Sequence, residues 1–80
     1  MNPYGCDEWQ EVDSSNISAV GSRGDYLVIL FKKGNVAYRY PGIAEEFDNL
    51  VNADSVGKYF AQDVRHQVSE RLLPDIWPED

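Results

Sequence analysis

The chain has 80 residues, and its 14 acids against 7 bases give a formal charge of −7, so it is bounded to one domain with a small core and no room for a deep substrate cleft. Its 42% hydrophobic fraction and ten aromatic residues belong to a self-folding globular chain and exclude an acidic disordered tail. A single cysteine, Cys6, excludes an internal disulfide and a thiolate metal cluster within one chain.

In chain order, residues 1–16 hold Asp7, Glu8, Glu11 and Asp13 with no base, a net of −4. No basic run precedes an apolar stretch there, and nowhere does an apolar run approach the roughly 20 residues of a membrane helix, which predicts a cytoplasmic protein with no membrane partner. Trp9 is the candidate anchor for this segment. Residues 17–42 reverse the sign, with Arg23, Lys32, Lys33 and Arg39 against Asp25. They read as an antiparallel meander of three or more strands: 17–22, then 26–32, almost continuously apolar and therefore central, then 35–40. Lys33-Gly34-Asn35 is the hairpin turn, since glycine reaches positive φ without a Cβ clash. On the third strand the period of two puts Val36, Tyr38 and Tyr40 on one face and Ala37 and Arg39 on the other.

Pro41-Gly42 breaks the strand. Ile43, Phe47, Leu50 and Val51 then recur at helical spacing, with Glu45, Glu46 and Asp48 turned outward; residues 43–54 carry four acids and no base. Ser55 is a candidate N-cap for a second helix with the stripe Val56, Tyr59, Phe60, Val64 and Val68, closed by Pro74 at the latest. Residues 72–80 read as an extended tail packed by Ile76 and Trp77. The expected fold is α+β: a small antiparallel meander with two helices on one face, its core drawn from Tyr26, Leu27, Ile29, Phe31, Phe47, Leu50, Phe60 and Val64.

The run Asp13-Ser14-Ser15-Asn16-Ile17, the strand Leu27-Val28-Ile29-Leu30-Phe31, Gly34, Tyr38-Arg39-Tyr40 and the stretch Ala53-Asp54-Ser55-Val56-Gly57-Lys58-Tyr59-Phe60 together resemble the KTSC domain. That domain is found at the C-terminus of some lysyl-tRNA synthetases and as small stand-alone bacterial and phage proteins. The resemblance covers residues 13–66, leaving 1–12 and 67–80 as acidic extensions of a single domain. It implies an α/β module, suggests RNA binding through the synthetase context, and brings no catalytic residues.

Enzymatic sites find little support in the residues themselves. His66 with Asp63 and Glu70 has the i−3, i+4 spacing of a metal site on one helix face, but it points away from the apolar stripe and reads as solvated. Ser14-Ser15 has no positioned base and reads as turn chemistry. Paired carboxylates need a cleft to separate their pKa values. The expectation is therefore no enzyme, no catalytic residues, no metal and no cofactor.

Two binding readings stand against one another, with a general protein-interaction domain as a third. In the first, Glu45, Glu46, Asp48 and Asp54, with Asp7, Glu8, Glu11 and Asp13, occupy the arginines and lysines of a basic nucleic-acid-binding protein, because carboxylates at fixed spacing form the charge-assisted pairs that phosphates otherwise make. Small acidic stand-alone proteins of this character resemble phage-encoded anti-CRISPR inhibitors acting in the host bacterial cytoplasm, so the expected partner is a CRISPR effector complex, met as a monomeric DNA mimic. In the second, Lys32, Lys33 and Arg39 meet phosphates while Tyr38 and Tyr40 stack bases. The same tyrosines at period two also suit a core beneath the helices, and the lysines suit edge protection. The net charge repels a polyanion at long range, which favours the first reading.

Overall fold

In the computed structural model, which describes residues 2–78, the apolar alternation of residues 17–40 forms the centre of a five-stranded sheet. The strands are β1 (Glu8–Glu11), β2 (Ile17–Arg23), β3 (Tyr26–Phe31), β4 (Ala37–Pro41) and β5 (Glu70–Leu72), in the order β1-β2-β3-β4-β5, each antiparallel to its neighbour. Such an all-sequential meander needs only short links between neighbouring strands until the helices intervene before β5. β3 is central and continuously apolar as expected. The β3–β4 link is a 3-10 turn over Lys33–Asn35 in which Gly34 sits at φ 74°.

Two short helices follow. Helix α1 spans Glu46–Val51 and buries Phe47 and Leu50. Its first-turn acids Glu46 and Asp48 lie at the positive end of the helix dipole. Helix α2 (Val56–Tyr59) starts at Ser55, whose hydroxyl accepts the Lys58 N–H at 3.2 Å, the predicted cap. From Phe60–Val64 the helix widens into a π-helical turn, closed by Arg65 N–H to Phe60 C=O at 2.8 Å. This ends the helix earlier than predicted, so Val68, assigned to the apolar stripe, is 79% exposed.

Both helices cover one face of the sheet. Ile17, Val20, Leu27, Ile29, Tyr40, Phe47, Leu50, Phe60 and Val64 form that core, with Phe31, Tyr38 and Ile43 packed partly buried against it. The α+β arrangement is the expected one. Tyr26 is a correction: period two puts it with Val28 on the opposite face, where it is half-buried.

That opposite face is closed by the chain's own ends, and this is the main departure from the expected fold. Tyr4, Val28, Ala37 and Leu72 form a second core, joined by Cys6, Trp9, Leu30 and Trp77. The anchoring predicted for Trp9 holds: it pairs opposite Gly21, whose missing side chain leaves room for the Trp9 ring and the Cys6 thiol. The acidic segment around it is a strand, β1, rather than a tethered arm. At the other end Trp77 packs as predicted, whereas Ile76 is 61% exposed and Leu72 carries the burial from within β5. Met1, Glu79 and Asp80, parts of the two acidic extensions, lie outside the described residues.

Candidate functional site

The acidic residues separate into two groups. Where β1 runs out towards β2 and where α1 hands over to α2, the backbone leaves a cleft of about 400 Å³ lined by residues 10–13, 51–54 and Val56. Glu11, Asp13 and Asp54 line it and no base does, so acids from the two base-free segments of the sequence meet at one place. Asp48 belongs to the turn of α1 just before, since Asn52 at the helix end donates its backbone N–H to Asp48 C=O at 3.1 Å. Asp48 and Glu45 are exposed.

The remaining three predicted acids are occupied. Asp7 Oδ2 accepts the Gly24 N–H at 3.2 Å, and Glu8 Oε1 accepts the Ser22 hydroxyl at 3.4 Å, both tying the start of β1 to the β2–β3 hairpin. Glu46 is a correction to the outward, solvated assignment. It is half-buried, and its Oε1 accepts both the Tyr59 hydroxyl at 2.8 Å and the Asn49 amide at 2.7 Å, so it ties α1 to α2. The hydrogen bond to Glu46 holds the proton on Tyr59 and raises its pKa.

The predicted basic and aromatic set is divided more severely. Lys32 and Lys33 are exposed at the hairpin tip. Arg39 is 3% exposed: it is ion-paired with Glu70 on the neighbouring strand, and its guanidinium lies 4.3 Å from the centre of the Tyr26 ring and 4.9 Å from that of Trp77. It is a buried, ion-paired cation rather than the exposed one expected, because period two carried it to the face that the C-terminal tail covers. Arg23 stacks on Trp77 at 4.3 Å and donates to Tyr4 C=O at 3.1 Å, so two of the seven bases are spent on clamping one tryptophan. Tyr38 and Tyr40 share the helix-side face as predicted, Tyr40 at 4% exposure and Tyr38 half-buried. Burial raises the Tyr40 pKa, and its hydrogen bond with Ser69 opposes the shift.

Asp63, His66 and Glu70 do not share a helix face, because the helix ends at Val64 and Glu70 sits in β5. Among the described residues no three His, Cys, Asp or Glu side chains converge as a metal site would require. Ser14 is buried in a turn, its hydroxyl donating to Asn16 Oδ1 at 3.0 Å, which matches the turn reading. Among the described residues no helix is long and apolar enough to cross a membrane.

Two of the motif segments are neighbours in space. A Cβ on Gly57 would stand 2.8 Å from Asn16 Oδ1 and 3.2 Å from Ser14 Oγ, so the Ser14-Ser15-Asn16 turn docks directly on the glycine of α2. The spacing between these segments in sequence carries no sign of this contact; their shared polarity and small size are its only trace. No curated protein matches the chain significantly. The family model of the KTSC domain matches residues 13–67, a span from the Ser14-Ser15-Asn16 turn through β2, β3, β4 and both helices. The chain belongs to the KTSC domain family.

Proposed function

We propose that this KTSC-domain protein is a non-enzymatic, acidic binding protein that mimics nucleic acid and occupies a basic nucleic-acid-binding surface of another protein, with a CRISPR effector complex as the target. The observation that carries the reading is the cleft where Glu11 and Asp13 meet Asp54 without a lining base. Asp48 and Glu45 continue the acidic surface along α1. These carboxylates stand on a strand end and the short link after it, on a helix and its N-cap, and in the bend between two helices, so they do not have to be ordered on binding as those of an acidic tail would. A basic surface that meets them exchanges phosphates for carboxylates at little entropic cost.

The test is competition. Purified guide-loaded CRISPR effector complexes are assayed for target-DNA binding by gel shift with and without the protein. The parent chain should block DNA binding. Asp13→Lys with Asp54→Lys should lose most of that block, while Asp25→Lys with Asp63→Lys, an equal change of charge at exposed positions away from the cleft, should keep it. Equal inhibition by both variants would reduce the charge to a solubility role. If no effector complex is affected, the choice of target fails, and the same variant pair against other basic nucleic-acid-binding proteins tests the mimicry alone.

A further inference from the structure

A second groove, of about 380 Å³, lies between the π-helical turn and the ends of β3 and β4, and it shares no lining residue with the acidic cleft. Four of its lining rings form an edge-to-face chain: Tyr38 with Phe31 at 5.9 Å, Phe31 with Phe60 at 5.4 Å, and Phe60 with Tyr40 at 6.1 Å between centroids. Phe60 and Tyr40 are buried, but Phe31 and Tyr38 keep exposed area at the groove. Such a chain of rings offers stacking surface to a further planar ring.

The polar lining is as specific as the floor. Arg65 lines the groove together with Asn16 and Ser69, and no acid does, in a chain where acids outnumber bases two to one. Arg65 is exposed and makes no ion pair among the described residues. A guanidinium without a carboxylate is matched to a bidentate oxyanion. Asn16 Oδ1 is already taken by the Ser14 hydroxyl, so the side-chain group it has left to offer is its NH2 donor.

We infer that this groove binds a single nucleoside monophosphate, with the base against Phe31 and Tyr38 and the phosphate on Arg65. Stacking surface, one cation and a hydrogen-bond donor suit a planar aromatic joined to an oxyanion, and the volume falls within the range of about 300–1,000 Å³ typical of small-molecule sites. The whole-molecule charge decides against a strand. One phosphate meets Arg65, whereas every further phosphate adds repulsion from a body of charge −7 without a further lining cation. The inference is independent of the acidic cleft, since it uses other residues and the opposite sign of charge.

The experiment is an NMR titration of the full chain with AMP, adenosine, inorganic phosphate and a short single-stranded oligoadenylate. AMP should shift the side-chain resonances of Phe31, Tyr38 and Phe60 saturably. Arg65→Gln should weaken AMP about tenfold, as loss of a charge-assisted hydrogen bond does, and leave adenosine unchanged. Lys33→Gln at the hairpin tip should alter neither. Because Arg65 is exposed, its variant should keep the parent's amide spectrum outside the groove. No saturable shift with AMP, an Arg65→Gln variant that binds AMP like the parent, or phosphate alone shifting the ring resonances equally would overturn the site. An oligoadenylate that binds more tightly than AMP would overturn its restriction to one nucleotide.

Discussion

At the scale of single residues, the destinations of charged and reactive groups are set by which face they reach. Arg39 makes the point most plainly: in sequence it is one of four bases on a basic stretch, and in space it is packed between two aromatic rings. Cys6 is another such case. It lies in the N-terminal segment, half-buried against the second core, and burial pushes its thiol up to about 11, with Arg23 opposing the shift and Asp7 adding to it. The thiol therefore stays protonated at neutral pH, and alkylation by iodoacetamide at pH 8 should be far slower in the native chain than in urea. The sign for stability follows directly. The unfolded thiol loses its proton near its ordinary value of 9.0 and the folded one near 11, so the unfolded state holds fewer protons between these values and stability falls as pH rises through that window. Urea midpoints measured from pH 8 to 11 should decline, and Cys6→Ala should flatten that decline in part; Tyr4, Tyr40 and Tyr59, whose pKa values are also raised, keep the remainder. A decline that is the same in Cys6→Ala would show that the thiol is not buried.

At the scale of elements, β1 and β5 decide how the sheet ends. Both lie outside the family match at 13–67, and each pairs with an edge of the three-stranded centre, β1 with β2 and β5 with β4. Each new edge is short and carries charged residues, Glu8 and Glu11 on β1 and Glu70 and Arg71 on β5, which discourages pairing between molecules. The tail after β5 then closes the face opposite the helices, with Trp77 between Arg23 and Arg39 and edge-on to Tyr26 at 5.2 Å. Trp77→Ala removes these ring contacts and should cost about 2 kcal/mol, from cation-π and aromatic contributions of roughly 0.5–2 kcal/mol each. The helix-side core does not include Trp77, so the variant should still fold. Urea unfolding with an unchanged m-value and a lowered midpoint is the expected outcome; an unchanged midpoint would mean that the tail contributes nothing.

At the scale of the whole molecule, the charge is both large and sorted. The acids Glu11, Asp13 and Asp54 line one cleft, Arg65 lines the other, and Arg23 and Arg39 are withdrawn into aromatic contacts. Exposed positive charge is thereby reduced to Lys32, Lys33, Lys58, Arg65 and Arg71 among the described residues. Duplex DNA and structured RNA should accordingly show no binding in a gel shift at physiological salt, since their affinity depends on several phosphates being neutralised together. Micromolar duplex binding that falls with Lys32→Glu and Lys33→Glu would instead favour a nucleic-acid module built on the hairpin.

The sequence by itself determined what depends on near neighbours: the meander of residues 17–40, the faces of Tyr38, Arg39 and Tyr40, the stripes of Phe47 and Leu50 and of Phe60 and Val64, and the Ser55 cap. Each rests on a period of two or 3.6 or on a single capping hydrogen bond, so a few residues suffice to reveal it. Tertiary structure alone decided that residues 8–11 and 70–72 pair as edge strands, that Arg39 is buried against a half-buried tryptophan rather than facing solvent, that Glu46 holds Tyr59, and that Asp13 and Asp54 line one cleft. Those outcomes depend on contacts between segments many residues apart. A three- or four-residue strand has too little pattern of its own to announce itself, and gains its hydrogen bonds only once a neighbouring edge already exists to receive it.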